Sequence, residues 1–189
     1  MSEPYVSIIP DTDPILRAVS SPVTIPLNQE DQQLLQSLYR YVKDSHDEEK
    51  REQHGLKPAV GLAAIQTGVK KRMLAVCVEE EDEEGNQEVF ALALANPKLL
   101  SHSEQKSYLK SGEGCLSVLD EHPGYALRHA RIRISGYDLL TNKQVNLRLS
   151  GYHAIVLQHE LDHLDGILFY DRIDKEDPYR QVADAIEIQ

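Results

Sequence analysis

The segment His159-Glu160-Leu161-Asp162-His163 constrains the fold of this chain more than any other feature of its sequence. Two histidines four residues apart lie one turn apart on the same face of a helix, close enough together to bind one metal ion. The glutamate beside the first histidine then stands next to the water that the ion activates, where it can act as a general base. Gly166, just past the second histidine, is typical of a helix end. The pattern predicts a helix over residues 151–165 that carries a catalytic site for a divalent metal ion.

The third protein ligand decides what kind of site this is, because two histidines alone do not hold a metal ion firmly. In one class of metalloproteases the third ligand is a histidine six residues after the second, and here that position holds Phe169. In another class it is a glutamate on a following helix. The only glutamate at such a distance, Glu187, lies too near the last residue for such a helix. The third ligand is therefore expected upstream.

Cys115 is the predicted third ligand. It lies in Gly112-Glu113-Gly114-Cys115-Leu116-Ser117, where the two glycines indicate backbone that comes close to another group. As a thiolate it would complete a Cys-His-His site with an open fourth position for water. The other cysteine, Cys77, lies in an apolar run and is interpreted as a small buried side chain.

Gln66 ends a segment of small apolar residues, AVGLAAIQ at 59–66. One interpretation is the tight start of a helix, which explains the alanines but not the amide. A buried glutamine has two N–H donors that need acceptors. An oxyanion that forms at the metal would be such an acceptor, so Gln66 is predicted to stabilise it.

Two helices are predicted before the first strand. Residues 12–18 predict a short helix, with Thr12 or Asp13 as its N-cap and Pro14 at its first position. Asn28 can cap a second helix. The buried face of that helix is marked by apolar residues at helical spacing, namely Leu34, Leu35, Leu38, Tyr41 and Val42.

Strands are predicted in the middle of the chain. Apolar runs at 73–78 and 89–95 and alternating patterns at 127–137 and 144–149 indicate them. Between the first two, residues 79–88 are mostly acidic and predict a solvated hairpin turn around Gly85-Asn86. Strands that precede one late helix favour an α+β fold. We expect antiparallel β-sheets packed around a central metal-binding helix, with additional N-terminal helices.

Length and charge limit the possible partners. A chain of 189 residues suits one domain, which we take to be a single catalytic domain over 1–189. The net charge of −11 argues against stable nucleic-acid binding. No apolar stretch suits a membrane span, and residues 1–13 lack the pattern of a secretory signal. With two cysteines in dissimilar contexts, we expect a reduced, cytoplasmic protein.

Three segments, in this order, resemble the peptide deformylase family, which is marked by GxGxAAxQ, EGCLS and QHExDHLxG. Here they read AVGLAAIQ (59–66), EGCLS (113–117) and QHELDHLDG (158–166). The last two match fully. The first departs at Ala59, where the family has glycine, and Ile65 stands where many members have proline. The resemblance runs from about residue 10 onward and is closest to the longer bacterial branch, type 2.

The resemblance implies the removal of the formyl group from the N-terminal formylmethionine of newly made polypeptides, with release of formate. It implies that Cys115, His159 and His163 hold one divalent ion, Fe²⁺ in the cell, with Zn²⁺, Ni²⁺ or Co²⁺ able to replace it. Glu160 would take a proton from the attacking water and deliver it to the leaving amine. Gln66 and the backbone N–H of Leu116 would stabilise the oxyanion.

By the same resemblance, Val60, Tyr152 and Val156 form the pocket for the methionine side chain, and Gly61 offers backbone hydrogen bonds. Val156 can equally be a plain core residue. Metal-binding histidines commonly donate their second N–H to an outer acceptor. Glu113 and Asp162 are candidates for such acceptors. Each could equally pair with a nearby arginine, such as Arg128 or Arg131. As partners, we expect N-formylmethionyl nascent peptides, brief ribosome contact, no membrane and a monomer.

Two alternatives remain at this point. The first is an HExxH metallopeptidase, which shares the helix motif but needs a downstream third ligand. The second is a non-catalytic deformylase-like domain with a structural metal. Closed structural sites seldom place a glutamate beside the ligands, and Glu160 stands there.

Overall fold

The computed structural model describes residues 4–82 and 84–189. It contains three α-helices: α1 (Gln29–Asp44), α2 (Glu48–His54) and α3 (Gly151–Leu164). The strands are β1 (Gly61–Ala63), β2 (Met73–Glu81), β3 (Gln87–His102), β4 (Lys106–Leu109), β5 (Arg128–His129), β6 (Arg131–Asp138), β7 (Lys143–Ser150) and β8 (Ile186–Ile188). Short 3₁₀-helices occupy Pro14–Arg17, Ala64–Thr67 and Phe169–Arg172.

The strands form two sheets, and the α+β class is confirmed. The larger sheet has the order β1-β2-β3-β6-β7 and is antiparallel throughout. The smaller sheet has the order β5-β4-β8, in which β8 pairs with β4 in parallel. Because β1 is the first strand in its order, one of its two edges is free of strand partners in the described part of the chain.

The larger sheet is buried on both faces near its centre, which explains why β2 reads as a continuous apolar run. Alternate residues of a strand point to opposite faces. Leu74 and Val76 of β2 belong to the core cluster that contains α3. Ala75 and Cys77 belong to the cluster that contains α1, with Leu35 and Leu38. Cys77 is 1% exposed, so its prediction as a buried apolar side chain is confirmed.

Helix α3 is the central helix of the fold. Its buried residues lie on every side of the helix and include charged ones, among them Glu160, Asp162 and His163. The predicted end is confirmed, since Gly166 adopts a φ of +73° after the cap residue Asp165. A β-carbon at Gly166 would lie 2.4 Å from the carbonyl oxygen of Arg17, so the N-terminal segment packs directly on this turn.

The N-terminal helices form where the caps predict them. Asp13, rather than Thr12, caps the short helix, and its carboxylate accepts a hydrogen bond from the N–H of Ile15. The side chain of Asn28 caps α1 through the N–H of Asp31. Leu35, Leu38, Tyr41 and Val42 are buried as predicted, whereas Leu34 is partly exposed. Helix α2 was not predicted.

The hairpin between β2 and β3 lies where the acidic turn is predicted. Asp82 accepts hydrogen bonds from the N–H groups of Glu84 and Asn86, and Gly85 has a φ of +82°. Glu83, the remaining acidic residue of this turn, lies outside the described residues. Strand β3 extends well past the predicted residue 95 and passes Pro97 at an irregularity in its pairing with β6. Among the described helices, none is long and apolar enough to cross a membrane.

Candidate metal centre

Cys115, His159 and His163 come together at one point of the molecule. Their ligand atoms all lie within 4.8 Å of one another, and Cys115 Sγ is 3.3 Å from His163 Nε2. The two histidines lie one turn apart on α3, as their spacing predicts, and the centroids of their rings are 5.0 Å apart. Cys115 comes from the loop after β4. A thiolate and two imidazole nitrogens form a donor set that suits Zn²⁺ or Fe²⁺ and leaves a fourth position open.

The orientation of His159 is fixed by a buried carboxylate. Its Nδ1 lies 2.7 Å from Glu113 Oε2, which leaves Nε2 to face the other two donors. Burial alone would raise the pKa of Glu113, but the charge and hydrogen bonds of Arg128 lower it to about 2. Glu113 therefore stays ionised and holds the ring of His159 in one orientation.

Arg128 is the centre of a buried ionic network. It makes two hydrogen bonds of 2.8 Å to Glu113 and one to Asp162, and it is only 3% exposed. Asp162 also accepts two hydrogen bonds from Arg172. The two outer acidic residues named from the sequence thus pair with Arg128 and not with Arg131, whose guanidinium donates to Gln105. The network ties the cysteine loop to α3.

Glu160 lies beside the three donors with its carboxylate buried. It is 4% exposed, and its Oε2 has no hydrogen-bond partner among the described residues. Burial raises the pKa of its carboxyl group to about 7. A β-carbon on Gly61 would lie 2.4 Å from Glu160 Oε1, so β1 approaches this side chain as closely as only glycine allows. A buried carboxylate without a partner is what a general base beside an ion requires.

Gln66 is buried next to Cys115, as its amide predicts. Its Oε1 accepts the N–H of Ala63 at 2.9 Å. Its Nε2 donates to Ser117 Oγ at 3.2 Å and faces Cys115 Sγ at 3.5 Å. The contact with the Cys115 sulfur is weaker than the hydrogen bond to Ser117. The Gln66 amide nitrogen nevertheless faces the metal-donor group through Cys115.

Leu116 lies in a tight turn that starts at Cys115. The N–H of Val118 donates to the carbonyl of Cys115 at 3.2 Å, which closes the turn. Across residues 4–82 and 84–189, the N–H of Leu116 has no hydrogen-bond acceptor. The backbone thus presents a free donor next to the Cys115 ligand.

A cleft of about 930 Å³ opens onto these groups. The four predicted substrate residues all line it, namely Val60, Gly61, Tyr152 and Val156. Val156 is 6% exposed and also belongs to the core around α3, so both of its interpretations apply. The backbone before β1 is held by the end of α1, because Ala59 bonds to Ser45 and His46. Ala59, which stands where the family has glycine, therefore lies at an edge of the cleft that these hydrogen bonds hold in place.

The residues present fit a bound metal ion. The donor set is of the Cys-His-His kind, His159 is oriented by an outer carboxylate, and a buried oxygen of Glu160 has no hydrogen-bond partner in the described part of the chain. Phe169, which occupies the place of a third histidine, packs parallel to the His159 ring with centroids 6.0 Å apart. Phe169 therefore packs against the ring of His159 and adds no donor atom to the group of Cys115, His159 and His163.

Sequence reasoning missed two residues next to the site. Ser117 accepts the hydrogen bond that orients the Gln66 amide, and Arg172 shares Asp162 with Arg128. A polar residue two positions after the cysteine could have pointed to Ser117. For Arg172, which lies on a separate 3₁₀-helix after α3, the sequence offers no local signal.

Comparison with known proteins agrees with this geometry. The family model described as polypeptide deformylase matches residues 5–179. The chain is 51% identical to "Peptide deformylase 2" of Geobacillus stearothermophilus, with 96% of each chain covered. It is 47% identical to "Peptide deformylase 2" of Bacillus subtilis, with 97% of each covered.

Solved structures agree as well. A class I type b peptide deformylase from Acinetobacter baumannii, bound to Met-Ala-Ser, has a TM-score of 0.69 at 27% identity and covers 92% of this chain and 100% of its own. The peptide deformylase from Thermotoga maritima has a TM-score of 0.66 at 30% identity, with 91% and 99% covered. The matching family model and the close relatives span nearly the whole chain, and the chain belongs to the polypeptide deformylase family.

Proposed function

We propose that this protein is a peptide deformylase, a hydrolase that removes the formyl group from the N-terminal formylmethionine of newly made polypeptides and releases formate. The observation that carries the proposal is the meeting of Cys115, His159 and His163 beside the buried carboxylate of Glu160, whose Oε2 has no hydrogen-bond partner among the described residues. The family match supports the same reaction. An HExxH metallopeptidase is not favoured, because the third ligand is Cys115 from an upstream loop.

Each group of the site has a role in this reaction. Cys115, His159 and His163 would hold one divalent ion, which lowers the pKa of water and polarises a carbonyl group when bound. Glu160 takes a proton from the attacking water and passes it to the leaving amine. The Gln66 amide and the Leu116 N–H donate hydrogen bonds to the formyl oxygen as it gains negative charge. Gln66 gives up only its long contact with Cys115 to do so.

The cleft accounts for an extended peptide with a methionine at its start. Val60, Tyr152 and Val156 supply apolar surface for the unbranched side chain. Gly61 lies on the edge strand β1, whose free edge can accept backbone hydrogen bonds from a peptide that lies beside it. Recognition through the backbone suits an enzyme whose substrates share only their first residue.

Several further properties belong to the proposal. We take the resident ion to be Fe²⁺ in the cell, with Zn²⁺, Ni²⁺ or Co²⁺ able to replace it, since a Cys-His-His set suits all four. We take the chain to be a single catalytic domain over 1–189 that works as a monomer in the cytoplasm, where new polypeptides appear. Its contact with ribosomes is brief, and no stable nucleic-acid complex is expected at a net charge of −11.

The test is formate release from formyl-Met-Ala-Ser, with protein prepared anaerobically and its metal content measured. We expect stoichiometric metal and rapid formate release. Glu160→Gln should keep the metal and the fold but lose about 10²–10⁴-fold in kcat. The control Glu176→Gln, at an exposed residue, should behave as the wild type. Cleavage of internal peptide bonds without formate release would instead indicate a metallopeptidase.

A further inference from the structure

A group of arginines lies on the outer face of strands β6 and β7. Arg131 and Arg133 lie on β6, and Arg133 stands opposite Arg148 of β7. The residues between them, such as Ile132 and Leu147, pack toward the core around α3, so the arginines share the opposite face. With His102 they line a groove of about 530 Å³, which we call the arginine groove. It shares no lining residue with the cleft at the metal centre.

In the described part of the chain, no helix packs on this face of the sheet beside the arginine groove, so the groove is open. Helix α1 packs on the same face further along, over β1, β2 and β3. Arg131, Arg133 and Arg148 are exposed. The groove therefore presents positive charge to solvent on a protein whose net charge is −11.

The charge of the arginine groove is not neutralised by the protein. In the part of the chain that the structure describes, its three arginines form no ion pair with a carboxylate, whereas Arg17, Arg72 and Arg128 each do. Neutral oxygens orient two of the groove's guanidinium groups instead. Arg131 donates to Gln105 Oε1 at 2.9 Å, and Arg133 donates to Asn146 Oδ1 at 2.7 Å.

This arrangement costs stability, because like charges directly opposite each other on neighbouring strands repel. Arg133 and Arg148 are such a pair. A set of repelling, oriented and unneutralised guanidinium groups is what a site for a polyanion requires.

We propose that the arginine groove binds the phosphodiester backbone of RNA, weakly and without sequence preference. Strand geometry puts the α-carbons of Arg131 and Arg133 about 6.6 Å apart along β6, and those of Arg133 and Arg148 about 5 Å apart across the pair of strands. Such closely spaced cations match a polymer with one negative charge on every unit. Guanidinium groups bind phosphate oxygens in pairs, and the hydroxyls of Ser101 and Ser150 in the groove are further donors.

The shape and composition of the groove favour RNA over other anions. A concave groove admits a single polymer strand, whereas a lipid bilayer is flat and would contact its rim only. No Phe, Tyr or Trp lines the described groove, and the ring of its His102 already stacks on His129 with centroids 3.6 Å apart, so we take the backbone to be the recognised part. The rest of the surface is acidic and repels RNA, which keeps the contact short-lived. An enzyme that meets its substrate at the ribosome would gain from such a contact.

The experiment measures the binding of a fluorescent oligouridine to the intact metal-loaded protein by anisotropy, at several salt concentrations. We expect a Kd on the order of 10⁻⁴ M at about 50 mM salt, with a slope of log K against log salt near −2 for three phosphate contacts. Arg133→Gln/Arg148→Gln should weaken binding at least about tenfold and bring the slope to about −0.7. The matched control Lys43→Gln/Lys70→Gln removes the same charge from exposed positions elsewhere and should change Kd less than about twofold.

Several results would overturn the proposal. One is an equal loss in both double variants, which would make the binding a matter of net charge. Others are a wild-type protein that does not bind at low salt, or an acidic peptide or anionic phosphatidylglycerol vesicle that competes as well as RNA of equal charge. Formate release from a short peptide should be unchanged in both variants. The melting temperature should not fall in either one, and removal of the repelling Arg133–Arg148 pair should raise it slightly. Loss of RNA binding with full deformylation therefore separates this proposal from the catalytic one.

Discussion

Gly61 lies so close to Glu160 that a β-carbon at residue 61 would fall 2.4 Å from the carboxylate oxygen Oε1. The edge strand of the sheet thus fixes the side chain that we propose as the general base. We predict that Gly61→Ala displaces Glu160 and lowers kcat/KM by about 10²-fold, since small misplacements of a catalytic group are costly. Formate release measures the loss, and metal analysis should find the ion still bound.

Gly114→Ala is the matched control for this variant. Gly114 also lines the cleft, but a β-carbon there would meet no atom within 4 Å. We expect activity within about twofold of the wild type, as for ordinary surface substitutions. Equal losses in both variants would contradict the role given to the contact between Gly61 and Glu160.

Cys115 and Cys77 should respond in opposite ways to substitution. Cys115→Ala removes one of three predicted ligands, and we expect the purified protein to lose its metal and its activity. Cys77→Ala changes a buried side chain of β2 and should cost about 1 kcal/mol of stability with full metal content. Metal analysis after dialysis distinguishes the two. Full metal retention in Cys115→Ala would refute the assignment of the third ligand.

The ionic network behind the metal centre predicts a large effect on stability. Arg128→Met removes both guanidinium hydrogen bonds of the buried Glu113 and one of the three that Asp162 accepts from arginines. We expect a loss of about 3–5 kcal/mol in the free energy of unfolding, measured in urea. Arg131→Met, three residues along the chain at an exposed position, should change it by less than about 0.5 kcal/mol. A small effect of Arg128→Met would mean that the network is not a structural support of the site.

The lowered pKa of Asp44 predicts that the free energy of unfolding depends on pH. Burial tends to raise the pKa of Asp44, but hydrogen bonds from Lys50 and Tyr5 outweigh it and hold the pKa below its usual value. A lowered pKa stabilises the folded state above the unfolded-state pKa, and this stabilisation is lost as the pH falls through the folded-state pKa. Asp44→Asn should therefore cost about 1 kcal/mol at neutral pH, because Lys50 is half exposed and solvent screens the pair.

The measurement is urea unfolding of both proteins at pH 7 and at about pH 3, below the usual pKa of aspartate. The difference between wild type and Asp44→Asn should shrink at the lower pH. Asp47→Asn is a useful comparison, since its side chain is 45% exposed and lies 3.8 Å from the same lysine. A difference that does not change with pH would show that the ionised carboxylate of Asp44 contributes nothing.

Most of the metal centre could be predicted because its parts follow local rules. The spacing of His159 and His163 fixes their common face on any helix, and Glu160 follows from the same geometry. The network of Arg128, Asp162 and Arg172 could not be predicted in the same way. Its members come from β5, α3 and a later 3₁₀-helix, and sequence spacing carries no information on which of several arginines meets which carboxylate.

In the fold, too, some elements could be predicted from the sequence and others could not. Helix α1 was predicted from its apolar face, whereas α2 has no buried residue among Glu48–His54 and thus no periodic signal. Strands β4 and β8 are four and three residues long, too short for an alternating pattern to stand out. The parallel pairing of β8 with β4 joins residues about 80 positions apart, as between Ser107 and Ile186, and depends on tertiary packing alone.

The contact between Arg17 and Gly166 has a consequence for the order of folding. The guanidinium of Arg17 also reaches the carbonyl of Gly166, across a separation of 149 residues. Closing so long a loop is entropically costly, and contacts of this kind form late. The turn that ends α3 therefore gains its contacts with Arg17 only after these distant parts of the chain have met. We expect the ion to be captured in the last stage of folding, so that a chain still in synthesis is not yet an enzyme.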